Sequence, residues 1–257
     1  MTEWDELARE CDAWAESGRT IELWWRDDDA VADTPALRRL IQVATVPLSL
    51  AVIPAKLEPS LPMFLKGHDS VSVLQHGLDH RNHAPAGAKK SEFPESRSWP
   101  EVAGALQQGR DRLAAVFGAP FLPVLTPPWN RIGPGHASRL PDLAYRGLTT
   151  YLGRKRGEAA RGPHGAVIQV NTHVDVIDWR GTRGFLGLTA TLALLAGHLK
   201  AKRLGEADPV EPTGLLTHHL VHDTETWEFL GALLDWCAKR PNIAWRSAAD
   251  LFPGSGK

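Results

Sequence analysis

An α/β fold with a mostly parallel sheet, open or closed, is what this sequence predicts, and three observations predict it. Short β-rich apolar runs alternate with amphipathic helical segments from the start of the chain to its end, about seven strand-helix units in all. Helix boundaries carry their own punctuation, and polar residues gather just after the apolar runs rather than within them. At 257 residues the chain is long, yet α/β barrels reach this size around one core, so a single domain over residues 1–257 is expected.

The elements follow in order. Residues 3 to 17 form an amphipathic helix that the break at Gly18 separates from the run "TIELWW". "DTPALRRLIQVA" opens a helix with Asp33 or Thr34 as N-cap and Pro35 in the first turn. "VPLSLAVIP" and "SVSVLQHG" are strands flanking a helix near 59 to 66, and "HRNHAPAGAKKSEFPES" has the composition of a long exposed loop. Ser98 and Glu101 make a capping box for a helix that ends at Gly118. "FLPVLTPPWN", a short helix near 136 to 142, "YRGLTTYL", a basic glycine-rich turn at 153 to 165 and "AVIQVNTHVDVIDW" come next. A long helix near 184 to 203, a loop to about 213, "GLLTHHLVHD" as a strand and a helix from Asp223 to Lys239 complete the series. In that last helix Trp227, Leu230, Leu234 and Cys237 share a face.

Composition narrows the function. With 29 basic and 30 acidic residues the formal charge is −1, which gives no electrostatic reason for nucleic acid or an anionic membrane as partner and favours a neutral one. Two cysteines, Cys11 and Cys237, make neither a disulfide framework nor a metal-ligand pattern. The acidic N-terminus has no secretory pattern, and "FLGLTATLALLAG" is too short to span a bilayer, so a cytoplasmic location is expected.

In parallel α/β folds the side chains at the carboxyl ends of the strands line the active-site face. Here those ends carry "RDDD" at 26–29, "QHGLDHRNH" at 75–83, "TPPWN" at 126–130, "VDVIDW" at 174–179 and "THHLVHD" at 217–223. His76 and His80 stand four apart, so a tight turn brings both imidazoles to one point, and one carboxylate of the aspartate run completes two histidines and an acid. That set leaves a metal position open for water, and zinc lowers the pKa of such a water from about 15.7 to about 7. A second aspartate then serves as base and the third as structure. A run of aspartates is commonly a solvated turn and a histidine pair commonly incidental; their joint occurrence at successive strand ends is what points to a site. His68, His136, His164 and His198 read as ordinary surface residues, and His83 is the reserve ligand. Among the ten tryptophans, Trp14, Trp227, Trp236 and Trp245 read as core, whereas Trp129 and Trp179 stand beside the site.

The order of these motifs resembles the polysaccharide deacetylase family, the NodB-homology domain or carbohydrate esterase family 4, across residues 25 to 218. Trp25-Arg26-Asp27-Asp28-Asp29 resembles its Thr-Phe-Asp-Asp-Gly motif, which implies Asp27 as general base and Asp28 as metal ligand. His76-Gly77-Leu78-Asp79-His80 resembles the His-Ser/Thr-x-x-His motif and implies His76 and His80 as the other ligands. Thr126-Pro127-Pro128-Trp129-Asn130 is similar to Arg-x-Pro-x-Gly, with the Trp129 amide facing the oxyanion. Asp175 to Trp179 matches Asp-x-x-Asp-Trp, and Leu215-Leu216-Thr217-His218 resembles the motif that carries the general acid, with Asp175 as carboxylate partner of His218. His219 and His222 compete with His218; strand alternation puts 218 and 222 on one face and 219 on the other. Asn130, Arg131 and Trp179 are the expected substrate contacts. The resemblance implies a distorted (β/α) barrel and a metal-dependent hydrolase, zinc being the expected metal, that removes an N-acyl group from an amino sugar. Two departures stand out. Thr126 occupies the place of the family arginine that orients the base, so Arg26 or Arg131 has to supply that charge, and Asp29 stands where glycine is usual. The competing readings are a deacetylase-fold binding or regulatory protein without turnover, favoured by the missing arginine, and a metal-free sugar-binding protein, which leaves the histidine clusters unexplained.

Overall fold

The computed structural model describes residues 2–154 and 167–254. Its elements in chain order are α1 (Asp5–Glu16), β1 (Ile21–Ala30), α2 (Pro35–Val43), β2 (Leu48–Val52), α3 (Ser60–Leu65), β3 (Val71–His76), α4 (Trp99–Phe117), β4 (Phe121–Thr126), α5 (Pro134–Ala137), β5 (Gly147–Leu148), β6 (Ile168–Gln169), β7 (Val174–Asp175), α6 (Leu188–Leu204), β8 (Thr213–Thr217), α7 (Thr224–Ala238), β9 (Ile243–Trp245) and α8 (Ala248–Leu251). The caps expected from sequence are in place. Thr34, not Asp33, accepts from the Leu37 amide at the head of α2, Glu101 accepts from the Ser98 amide and hydroxyl at α4, and Asp223 accepts from the Thr226 amide at α7. The basic glycine-rich turn expected at 153 to 165, with His164, lies for the most part outside the described residues.

All the strand pairs are parallel, in the order β6-β5-β4-β3-β2-β1-β8-β7, with β9 joining the start of β1. The segment that holds β6 and β7 pairs with β5 at its beginning and β8 at its end, and Tyr151 bridges Thr172 between them. One stretch of chain therefore spans both edges of the sheet, and the strands curl into a distorted (β/α) barrel. That irregular stretch replaces the single strand expected at 166–179, and it exists because its two halves hydrogen-bond different neighbours.

Side-chain alternation along β1 separates two cores. Leu23 and Trp25 join the large cluster between the strands and helices α1, α2, α6 and α7. Trp24 points the other way, into a smaller cluster with Leu74, Val124, Val170 and Phe252 inside the ring, where its indole donates to the Asn171 carbonyl at 3.0 Å. Gly214 makes room for that indole, since a Cβ there would lie 2.4 Å from Trp24 Nε1. The same parity continues toward the carboxyl end of β1, so Arg26 and Asp28 follow Trp24 inward while Asp27 follows Trp25 outward.

Two further expectations are revised. β8 ends at Thr217 and the chain turns into a 3-10 helix over His219–Val221, so strand alternation does not extend to His222. His136 is buried, with its Nε2 against the Pro94 carbonyl, so it is not a surface residue, and His198 is half-buried, stacked on His173 at 3.7 Å.

Candidate active site

The carboxyl ends of β1, β3, β4, β7 and β8 open onto one cleft of about 680 Å³, whose floor holds Asp28, Asp29, His76, His80 and His218. Asp28 and Asp29 are sequence neighbours, and regular strand geometry would send them to opposite faces. The parallel register of β1 against β2 slips between Asp27 and Ala30, and Asp29 has φ 72°. This bulge in left-handed conformation turns Asp29 back toward the cleft, so two consecutive carboxylates face the same space.

His76 closes β3, and its Nδ1 donates to the Thr126 carbonyl at 3.0 Å, which leaves Nε2 as the free lone pair aimed at the cleft. Beyond it the chain reverses within four residues. Gly77 has φ 60° and a Cβ there would lie 2.1 Å from Glu92 Oε2, while the buried Glu92 carboxylate accepts from the Leu78, Asp79 and His80 amides at 2.9, 3.1 and 3.2 Å. Burial pushes the Glu92 carboxyl up to about 7 against the pull of those backbone bonds. The loop wraps around this one side chain and delivers His80, whose ring packs 4.4 Å from that of Trp129. Glu92 lies in the segment expected to be an exposed loop; a lone buried glutamate in a charged stretch carries no sequence signal.

His76 Nε2 and His80 Nε2 lie 3.2 and 3.5 Å from the same oxygen, Asp29 Oδ1, and one donor atom from each of the three residues falls within 4.8 Å of the others. Burial raises the Asp29 carboxyl, but the close approach and charge of His76, with the charges of His218 and His80, outweigh it and hold Asp29 below the usual carboxylate range. Burial lowers His76, and the charges of Asp28 and Asp29 override it so that its pKa is raised. The carboxylate that meets the two imidazoles is thus Asp29 and not Asp28. His83, the reserve ligand, is exposed and stands outside this cluster.

Asp28 is engaged elsewhere. Arg26, two residues back on the same face, sets Nε 2.8 Å from Asp28 Oδ1 and donates from Nη2 to Oδ2 at 3.0 Å. The guanidinium is fully buried, and its remaining donors reach Thr149 Oγ1 at 2.8 Å, the Thr150 carbonyl at 3.3 Å and Asn130 Oδ1 at 2.6 Å. Of the two arginines that the sequence offered in place of the absent one at position 126, Arg26 is the one on the carboxylate. Arg131 is exposed and donates to the Lys90 carbonyl at 3.0 Å.

Asp27, expected as general base, does not reach the cleft. It is fully buried on the helix side of β1, where Thr217 Oγ1 donates to it at 2.6 Å, the His219 amide at 2.9 Å and His219 Nδ1 at 2.5 Å. Trp25 Nε1 in turn donates to Thr217 Oγ1 at 2.9 Å. Burial raises the Asp27 carboxyl, yet the His219 charge and hydrogen bond hold it low, and Asp27 raises His219 against the effect of burial. The pair pins the 3-10 turn after β8 to β1. His219 is thereby taken out of the competition for the cleft, and His222 packs edge-on against Trp227 at 4.4 Å. His218 is the histidine of this trio that lines the cleft, with Nε2 3.9 Å from Asp28 Oδ2 and its ring 4.7 Å from that of Trp179.

Asp175, expected as the carboxylate partner of His218, lines the same cleft but makes no hydrogen bond or ion pair with it among the described residues. Burial raises its carboxyl while His218 pulls it down, and it accepts from the Ile177 amide at 3.0 Å and from Trp179 Nε1 at 2.8 Å. Trp129 and Asn130 have φ 56° and line one wall; Trp179, 41% exposed, lines the other. Left-handed non-glycine residues at Asp29, His80, Trp129 and Asn130 concentrate backbone strain around the floor, as is common where geometry is imposed for function.

No protein-family model matches the sequence, and no curated protein matches it. Solved structures do. The peptidoglycan N-acetylglucosamine deacetylase Bc1960 is 13% identical, with 95% of this chain and 97% of that chain covered at a TM-score of 0.57. A Streptococcus mutans CE4 esterase is 12% identical, with coverage of 91% and 88% and a TM-score of 0.59. Puue allantoinase is 11% identical, with coverage of 90% and 88% and a TM-score of 0.58. What these likenesses share with the chain is the fold.

Proposed function

We propose that this chain, which carries the polysaccharide-deacetylase (NodB-homology) fold, is a metal-dependent hydrolase that removes an N-acyl group, acetyl in the first instance, from an amino sugar or polysaccharide, residues 1–257 acting as one catalytic domain. The observation that carries the reading is the convergence of Asp29, His76 and His80 on one point beside a second, separately oriented carboxylate and a histidine. Two imidazole nitrogens and one carboxylate oxygen are a donor set for a zinc-like divalent ion, and buried Asp29 Oδ1 has no hydrogen-bond partner among the described residues, as suits an atom reserved for a cation. His76 is already held in the right tautomer by the Thr126 carbonyl, and Glu92 fixes the loop that presents His80. The bound ion would supply Lewis-acid polarisation of the acyl carbonyl and a more acidic water.

The protein residues divide the remaining work. Asp28, held by the Arg26 fork, takes the proton of the attacking water; a base held on two contacts keeps its lone pair aimed through the reaction. The Trp129 amide faces the developing oxyanion. His218 lies across from Asp28, gives its proton to the departing amine and has the Trp179 edge against its ring, with the Asp175 charge near it. Trp129 and Trp179 offer aromatic faces to sugar rings, and Asn130 and Arg131 edge the same wall. The reading as a non-catalytic binding protein drew its support from Thr126; the Arg26 contact with Asp28 removes that support.

The test pairs metal analysis with acetate release from a panel of N-acetyl sugars, with allantoin included because an allantoinase shares the fold. Asp29→Ala is expected to lose the metal, and Asp28→Asn to keep it while losing hydrolysis. Metal retained at wild-type level in Asp29→Ala, or no turnover of any panel member by the metal-loaded protein, overturns the proposal.

A further inference from the structure

Four cations line the mouth of the cleft, and the chemistry of an N-acyl transfer to water has no use for them. Lys90 and Arg131 stand beside Trp129 on one wall, and Arg180 and Arg183 beside Trp179 on the other. All four are exposed, and none is ion-paired with a carboxylate among the described residues. The carboxylates within the cleft are already committed. Asp28 is paired to buried Arg26, Asp29 faces two imidazoles, Asp175 accepts from the Trp179 indole, and Asp178 accepts from the Arg180, Gly181 and Thr182 amides at 3.2, 2.9 and 3.3 Å. The last contacts do more than satisfy the Asp178 oxygens. Together with the Asp178 amide on the Gly184 carbonyl at 2.9 Å and the Arg183 amide on the Asp178 carbonyl at 2.9 Å, they close 178–184 into a built turn that holds both arginines at the rim. Unpaired like charges around a concave mouth repel one another, and a chain of net charge −1 has no general basic surface to which they could belong.

We infer that the substrate is an acidic saccharide, one whose carboxylate or phosphate groups flank the N-acyl group and are met by the arginine pair on one wall and the Lys90–Arg131 pair on the other. Guanidinium groups recognise either anion through paired N–H donors, and Trp129 and Trp179 provide the sugar-stacking surfaces between them. The inference rests on the hydrolase reading for the position of the scissile bond, but charge preference is measurable without turnover.

Binding is followed through tryptophan fluorescence with hyaluronan tetrasaccharide against chitotetraose for the carboxylate, and with N-acetylglucosamine 6-phosphate against N-acetylglucosamine for the phosphate. At low salt at least one acidic member is expected to bind ten times more tightly than its neutral counterpart, and which one identifies the anion. The ratio should fall toward one in 1 M salt, where the Debye length is about 3 Å, and should fall at least fivefold in Arg180→Gln/Arg183→Gln. Affinities within twofold for both pairs in the wild-type protein, or a preference that survives both the salt and the double variant, overturn the inference. Failure of the hydrolase reading shows separately, as selective binding without acetate release.

Discussion

Exchange of Arg26 for lysine tests the central electrostatic contact of the site. Arg26 is fully buried and spends its donors on Asp28, Thr149, Thr150 and Asn130. Lysine keeps the charge but concentrates three donors on one nitrogen, so it can hold Asp28 by one contact and no longer spans to Thr149 and Asn130. Two buried bonds to a charged donor, those to Thr149 and Asn130, are lost, at roughly 1–2 kcal/mol each after partial repair, which predicts a loss of about 2–4 kcal/mol in unfolding free energy. That lies inside the usual margin of 5–15 kcal/mol, so Arg26→Lys folds. Arg26→Met removes the charge and leaves Asp28 unpaired, with a cost of about 3–5 kcal/mol and a protein at the edge of stability. The assay is urea denaturation, metal content and kcat on the same preparations. Metal should stay bound in Arg26→Lys, because Asp29, His76 and His80 are untouched, while kcat falls by about ten- to a hundredfold through misorientation of Asp28. Unchanged kcat, or loss of metal as deep as in Asp29→Ala, would refute the assignment of Arg26 as the group that orients the base.

The other predictions concern single side chains. Asp27→Asn should lose about 2–4 kcal/mol of stability by breaking the buried pair with His219, yet keep most of its metal and lose less activity than Asp28→Asn, as read from denaturation and turnover side by side. His218→Ala should depress amide hydrolysis by roughly a hundredfold while sparing an activated ester, whose anionic leaving group needs no proton; His219→Ala and His222→Ala should show no such contrast. Lys202 is a buried cation on α6 whose pKa burial lowers to about 8 from 10.5. The folded state therefore holds its proton less tightly than the unfolded chain, and the cost is fully present below pH 8 and disappears as pH rises to about 10.5. Lys202→Met should stabilise by about 3 kcal/mol at pH 7, and the gain should shrink through that window in denaturation curves taken at successive pH values.

The general outline of the site was legible in the sequence, and the residue-level assignment was not. The alternation of strands and helices, the caps at Thr34, Ser98 and Asp223, and the gathering of histidines and aspartates after apolar runs all follow from local rules, which act within a few residues of chain. Those rules put His76, His80 and His218 at strand ends, where the structure has them lining the cleft. The order of the three aspartates needed the tertiary structure. β1 is buried on both faces, Leu23-Trp25 against the helices and Trp24 inside the barrel, so its pattern does not reveal which parity faces the interior. The structure puts Asp27 outside and Arg26 and Asp28 inside, and the bulge at Asp29 then makes the carboxylate that meets the two imidazoles fall one residue later than the motif comparison implied. The same holds for charge. A whole-chain balance of −1 averages over all surfaces, whereas three loops distant in sequence place Lys90, Arg131, Arg180 and Arg183 around one opening. Strand parity inside a doubly buried sheet and the convergence of remote loops are both set by packing between segments far apart in the chain, and such contacts leave no periodic trace in the order of residues.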